Sequence, residues 1–352
     1  MQVFKLIETM GHKQVSFCHD QKSGLKAIIA IHNTNLGPAM GGTRLFPYDS
    51  EEDALKDVLR LSQAMTYKAA CANLPAGGGK GVIIAEPEHK TQELFEAYGS
   101  FVETFKGRFI TAGDLNISVE NVRQMSEKTS YLVGLQERYG GTGRATAIGI
   151  ACGMKVAREF YFGKKDLHGL KVAVQGVGKV GKNLCQILSE QGVELFASDP
   201  ITERVQEAHR LYQAHIVDID EIYDLDVDIF APCALGGIIN SRTIPRLKMA
   251  IVAGAANNQL ENEDIHSRML AERKIIYCPD YVINAGGLIN LYDEMMRIDE
   301  NISLARVRKI ADTLMEVFKI AEDRNITTLE ASKSLAEQRF LKGRYDKPLV
   351  KK

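Results

Sequence analysis

The chain has 352 residues, of which 45% are hydrophobic and 25% charged, and its formal net charge at pH 7 is -1. That length exceeds one ordinary core and suits two domains of roughly 150 residues each, with a globular rather than disordered or fibrous composition. A balance so close to neutral supplies no global field toward nucleic acid or an anionic membrane, so neither partner is expected and a small neutral or zwitterionic ligand fits better.

From the N-terminus, MQVFKLIETMGHKQ has no apolar run suited to a signal peptide, and no segment approaches ~18 continuous apolar residues, so a cytoplasmic location is expected. LKAIIAIHN reads as a buried strand. Leu55, Val58, Leu59, Ser62 and Met65 then follow helical spacing, with Ser50 ahead of Asp53 as N-cap and an end expected near Lys68. The following LPAGGGK reads as a Pro-Gly loop before a strand, GVIIA. A second regime opens near Gly140, where GGTGRATAIG leads into a helix. LKVAVQGVGKVGKNLCQILSEQGVELFASD then gives strand, glycine turn, helix and strand in succession. Further strands are expected at AHIVD, VDIFAPCA, AIVAGAA and IIYCPDYVI, alternating with helical stretches. The pattern is α/β, parallel and doubly wound. Beyond Asn290 it turns helical, with Val307, Ile310, Leu314 and Val317 on one stripe, and the last dozen residues are expected to fray.

The six cysteines, Cys18, Cys71, Cys152, Cys185, Cys233 and Cys278, are scattered and form no CxxC pair, so they read as reduced thiols. Cys71 has no histidine close in sequence to act as base. The histidines, among them His19, His32 and His168, form no metal-ligand spacing, and no metal is predicted.

Gly176-Val177-Gly178-Lys179-Val180-Gly181 follows the strand KVAVQ and opens a helix, and Asp199 closes the next strand. Such glycines can serve packing alone in an α/β fold. In this context they point to a dinucleotide. The first allows the tight turn, the second the approach of backbone amides to a pyrophosphate, and the third close helix packing. Asp199 would accept from the adenosine ribose diol and repel a 2′-phosphate, which favours NAD over NADP, although Arg204 lies near.

Three charges in the first half invite a second reading. Lys68 lies at a helix end, Lys80 after Gly77-Gly78-Gly79, and Asp114 within the apolar ITAGDLNI. Each alone reads as solvated surface. Beside a nicotinamide site they supply what amino-acid oxidation needs: a lysine for the substrate carboxylate, a second lysine with a pKa lowered enough to act as a base, and an acid to move protons. The glycine run, and Gly41-Gly42 after Met40, would let substrate and cofactor approach the backbone.

With LGPAMGGTR, MTYKAACANLPAGGGKGVI, ITAGDLN, VAVQGVGKVG, DIFAPCALGG, GAANNQL and PDYVINAGGLIN, the chain resembles the glutamate, leucine, phenylalanine and valine dehydrogenases to about residue 330. The resemblance implies a first domain over 1–140 for catalysis, substrate and oligomerisation. A Rossmann-type NAD-binding domain would follow over 141–295, then C-terminal helices over 296–352 packing back on the first domain. The active site would lie in the inter-domain cleft, and the chain would be a homo-oligomer, from dimer to octamer. Lys68 matches the lysine holding the substrate carboxylate, Lys80 the one activating water, and Asp114 the proton shuttle. Thr146 and Asn258 match residues near the nicotinamide, Ala234 falls in the cofactor-side DIFAPCALGG, and Asn284 and Asn290 lie in the segment that faces the substrate, with Asn284 also expected at the cofactor. In two places the chain departs from its relatives. Arg144-Ala145 precedes Thr146 where leucine-type relatives have proline, which bears on the loop geometry there, and Gly113 precedes Asp114 where an acidic context is usual.

In glutamate-oxidising relatives the position of Met40 is a lysine, and a thioether cannot pair with a γ-carboxylate. Met40, Met65, Ala112, Leu288 and Leu291 instead match a hydrophobic side-chain pocket. The expected reaction is NAD-dependent deamination of a hydrophobic L-amino acid. The wording of AACANLPAGGGK, APCALGGIIN and PDYVINAGGLIN points to tryptophan, with leucine, valine or phenylalanine as alternatives. A non-catalytic NAD-binding sensor is the reading from another class.

Overall fold

The computed structural model describes residues 2–135 and 140–343. The chain forms two compact units, residues 1–137 with 336–352, and residues 138–335.

In the first unit α1 (Val3–Thr9) leads to β1 (Gln14–Asp20), which pairs antiparallel with β2 (Leu25–Asn33). β2 is the LKAIIAIHN run. Leu25, Ala27, Ile29 and Ile31 enter one apolar cluster, and Ile28 and Ala30 enter another. Covering both faces is why the run lacks polar alternation. β3 (Ala39–Met40) and β4 (Thr43–Phe46) both run parallel to β5 (Gly77–Ile84). β6 (Phe109–Ile110) completes the sheet, whose order is β1-β2-β5-β3-β6 with β4 also on β5.

Between β4 and β5, α2 (Glu51–Cys71) covers one face through Leu55, Val58 and Leu59, and the Ser50 side chain caps it by accepting from the Asp53 amide. The helix runs three residues beyond the end expected at Lys68, because buried Ala69, Ala70 and Cys71 continue it. It stops where Asn73 turns left-handed, with φ of 52°. α3 (Gln92–Glu103) covers the other face with Leu94, Phe95, Tyr98 and Val102, and α4 (Val119–Ser126) carries a Ser118–Asn121 capping box.

The glycine run corrects the expected loop. Gly77, Gly78 and Gly79 are strand residues of β5, paired to β2 and β3. A Cβ at Gly78 would lie 2.1 Å from the Thr66 amide of α2, so the glycines let helix and strand press together.

The second unit opens with α5 (Gly141–Phe162). There follow β7 (Lys171–Gln175), α6 (Lys179–Ser189), β8 (Glu194–Ser198), α7 (Thr202–Tyr212) and β9 (His215–Ile216). After them come β10 (Ile229–Pro232), β11 (Ile251–Val252), α8 (Glu263–Glu272) and β12 (Ile276–Tyr277). All these strands pair parallel in the order β12-β11-β10-β7-β8-β9, so the chain reverses direction across the sheet beside β7, which ends at the glycine turn.

Of the expected strand IIYCPDYVI only Ile276–Tyr277 is extended, and Asp280–Ile283 forms a helical turn, α9, entered through Pro279. Next come α10 (Gly286–Met295), α11 (Glu300–Arg308), α12 (Ile310–Arg324) and α13 (Thr328–Lys342). Val307, Ile310, Leu314 and Val317 are all buried, and α11 and α12 pack on α5. The segment 296–352 is thus divided between the units, and only its residues from 336 fall with the first. Of the dozen residues expected to fray, Leu341–Lys342 still belong to α13 and 344–352 lie outside the described residues. No described helix is long and apolar enough to cross a membrane.

Candidate active site

In the first unit the sheet brings the expected residues together. Met40, only 2% exposed, pairs with Gly78 on one side and Ile110 on the other. Gly41 and Gly42 continue from it along the edge of β5. A Cβ on Gly41 would lie 1.8 Å from the Gly79 carbonyl oxygen, with Met65 of α2 as the next side chain, and one on Gly42 would come within 3.0 Å of Asp114 Cβ. Buried Ala112 accepts from the Thr43 amide at 2.7 Å, which carries the chain from β6 toward Asp114 beside Gly42. Lys68 is half-buried one helical turn beyond Met65 on α2.

Lys80, 6% exposed, donates through Nζ to Asp114 Oδ2 at 2.6 Å. Strand alternation puts Lys80 on the same face of β5 as Gly78 and Val82, the face that α2 covers. Burial pushes the Asp114 carboxyl up, but the charge and hydrogen bond of Lys80, with the charge of Arg44, outweigh it and hold the group below the usual carboxylate range. The pair is therefore an ionised carboxylate and a lysine joined by one short hydrogen bond, a geometry able to relay a proton.

In the second unit the glycine turn is complete. Gly176 has φ of 92°, and a Cβ on Gly181 would lie 1.9 Å from the Gly176 carbonyl oxygen. Ala234 packs against Gly176 at the end of β10. Gly178 is the N-cap of α6 and offers no side chain, so the first-turn amides at Lys179, Val180 and Gly181 keep the arrangement that receives a phosphate. Asp199, with a side chain only 3% exposed, accepts from the Val177 amide at 2.8 Å and the Ile201 amide at 2.9 Å, while Arg204 Nη1 lies 3.6 Å from it.

The nicotinamide-side candidates meet nearby. Thr146 lies on α5, its hydroxyl donating to the Thr142 carbonyl, and Gly287 at the start of α10 approaches it closely. Gly143, one turn earlier on α5, approaches Lys179 in the same way. Arg144-Ala145 therefore belongs to a helix and not to the loop that the sequence suggested there. Asn284 donates to the Ala255 carbonyl at 3.0 Å and to Asn257 Oδ1 at 2.9 Å, while its own buried Oδ1 has no hydrogen-bond partner among the described residues. Asn258, left-handed at φ of 52°, follows in that loop and its carbonyl accepts from the Gly237 amide. Leu288 is buried and Leu291 half-buried on α10, with Asn290 buried between them. An anion-receiving helix start, a buried carboxylate at the end of β8 and an orphaned amide oxygen fit a dinucleotide.

Sequence reasoning assigned nothing to Arg44, although it lies two residues past Gly42, nor to Asp57 and Tyr48 behind it. An arginine within the short apolar-flanked run TRLF, just past the glycine pair, was the available signal. Asp280 was also missed. Buried at the start of α9, it accepts from the Gln259 amide at 3.0 Å and so braces the loop that holds Asn257 and Asn258.

Comparison with known proteins accounts for this pairing of units. Residues 12–131 match the Glu/Leu/Phe/Val dehydrogenase dimerisation domain, and residues 198–339 match Glutamate/Leucine/Phenylalanine/Valine dehydrogenase. An L-tryptophan dehydrogenase of Nostoc punctiforme is 57% identical over 340 residues, covering 97% of this chain and 96% of that protein. The chain belongs to the Glu/Leu/Phe/Val dehydrogenase family. A leucine dehydrogenase of Geobacillus stearothermophilus is 47% identical over 344 residues, 97% of this chain and 94% of its own. The crystal structure of the Nostoc punctiforme L-tryptophan dehydrogenase superposes with a TM-score of 0.87 at 55% identity, covering 97% of this chain and 99% of that one. Like these relatives, this dehydrogenase is an oxidoreductase acting on the amino group of amino acids with a nicotinamide dinucleotide.

Proposed function

We propose that this dehydrogenase catalyses the reversible NAD-dependent oxidative deamination of a hydrophobic L-amino acid, with L-tryptophan preferred. The amino acid, NAD+ and water would yield the 2-oxo acid, ammonium, NADH and a proton. The observation that carries this reading is the 2.6 Å contact between Lys80 Nζ and Asp114 Oδ2. Bound NAD+ supplies the acceptor for the hydride on Cα. Lys68 Nζ pairs with the substrate α-carboxylate and fixes Cα. Asp114 accepts a proton from the substrate ammonium, so that the nitrogen lone pair can form the imine as the hydride departs. Lys80 Nζ, once it has given up its own proton, takes one from the water that adds to the imine carbon. As the C–N bond of the resulting carbinolamine breaks, its hydroxyl releases its proton to solvent to form the carbonyl, and Asp114 returns a proton to the leaving nitrogen. Gly77–Gly79, Gly41 and Gly42 leave room for the substrate backbone.

The apolar residues Met40, Met65, Ala112, Leu288 and Leu291 support a hydrophobic side chain, since a second carboxylate beside Met40 would lose its hydration without gaining a partner. The 57% identity to a tryptophan-acting relative supports the finer choice. Asp199 supports NAD over NADP by repelling a 2′-phosphate. The match of residues 12–131 to a dimerisation domain supports assembly as a homo-oligomer. Initial rates of NADH and NADPH formation across the L-amino acids test the reading. We expect the highest kcat/KM with L-tryptophan and NAD. Leucine or phenylalanine ahead of tryptophan would move the substrate, and no turnover on any amino acid would refute the activity.

A further inference from the structure

The Lys80–Asp114 pair has a third member. Arg44, on β4, places Nε 3.6 Å from the same Asp114 Oδ2 that accepts from Lys80. That separation is too long for a hydrogen bond, and Arg44 Nε is buried without a hydrogen-bond partner among the described residues. A buried donor left unsatisfied costs desolvation that folding alone gives no reason to bear. The far side of the guanidinium is anchored. Nη1 donates to Asp57 Oδ2 at 3.0 Å, and the same oxygen accepts from the Tyr48 hydroxyl at 2.6 Å. The charged groups around Asp114 are thus Lys80 from β5 and Arg44 from β4, with Asp57 of α2 behind Arg44 and Arg60 of α2 at 4.0 Å from Asp57.

Lysine can give up its proton and arginine cannot. When Lys80 parts with a proton or turns to the reacting carbon, Asp114 keeps one permanent cation beside it. Arg44 Nε needs to close by only about 0.6 Å to donate to it. We propose that Arg44, tethered by Asp57 and Tyr48, is a positioning residue that holds Asp114 in place as a carboxylate while Lys80 works on the substrate. The role in turnover rests on the function proposed above, whereas the electrostatic contact does not.

The test compares Arg44→Gln, Arg44→Lys and Tyr48→Phe with the unmodified enzyme. The Asp114 carboxyl is titrated by carbon NMR, with Asp114→Asn for assignment. Without the Arg44 charge, Asp114 should titrate about one pH unit higher. The acid limb of kcat with L-tryptophan should move the same way, with kcat near neutrality down by about tenfold and KM little changed. Arg44→Lys should return both curves most of the way. Tyr48→Phe, which loosens the tether and leaves every charge in place, should give a smaller shift in the same direction, and it decides the matter if Arg44→Gln does not fold. An Asp114 titration and acid limb unmoved in folded Arg44→Gln, or an unmoved titration in Tyr48→Phe, would overturn the proposal. Should the enzyme oxidise no L-amino acid, the proposed function fails, and the carboxyl titration still decides the role of Arg44.

Discussion

In the first unit the groups proposed to react are side-chain charges, Lys80 on a strand thinned by glycine and Asp114 beside it. In the second the groups proposed to face the cofactor are backbone amides at the start of α6, the buried carboxylate of Asp199 and the orphaned oxygen of Asn284. A site of charges can lose its chemistry through one side chain while its backbone stands, because proton transfer depends on a single atom pair. A site of backbone amides tolerates side-chain changes and fails only when the backbone is forced to move. The proposed function thus assigns the chemistry to one unit and the affinity for cofactor to the other.

The largest expected effect breaks that comparison if it fails. Lys80→Ala should lower kcat by roughly 10²–10⁴-fold while the Kd for NAD, read by fluorescence titration, stays put. Equal losses in both would mean that the two roles are not separable.

Acid should single out the first unit next. Buried His12 and His32 have rings 4.8 Å apart. They bond to Leu59 and Ser62, and to Thr66, of the helix that bears Lys68. Burial lowers both from 6.5 to about 4, with the neighbouring ring lowering His12 further. The unfolded chain binds these protons first, so their contribution is present above pH 6.5 and disappears as pH falls toward 4. The loss is at most about 3 kcal/mol for each histidine. Hydrogen exchange in α2 should accelerate between neutrality and pH ~5, and α2 protection that does not change with pH would contradict this.

Gly181→Ala turns the comparison round. With a Cβ 1.9 Å from the Gly176 carbonyl, the turn must open. About 1–3 kcal/mol of strain should raise the Kd for NAD roughly ten- to hundredfold and leave the Asp114 titration untouched. Asp199→Ala should have the smallest effect, narrowing the preference for NAD over NADP by about tenfold in kcat/KM. Unchanged selectivity would remove Asp199 from that role.

The elements legible in the sequence are those whose causes are local. β2 is a continuous apolar run, α2 starts at a serine cap, and the Gly176–Gly181 turn is flanked by its own strand and helix. What escaped depends on partners far along the chain. Gly77–Gly79 carry no strand propensity, and pairing with β2 and β3, more than 35 residues earlier, makes them a strand. Asp280, which opens the helical turn after β12, is held by the Gln259 amide 21 residues earlier. Arg44 acquires its meaning from Asp57 and Asp114, 13 residues and 70 residues away.

The most direct measurement uses L-tryptophan deuterated at Cα, with NAD+ and the purified enzyme. One deuterium per NADH formed and one ammonia released per NADH would establish hydride transfer from an amino acid carbon. NADH without deuterium, or deuterated NADH without ammonia, would contradict oxidative deamination.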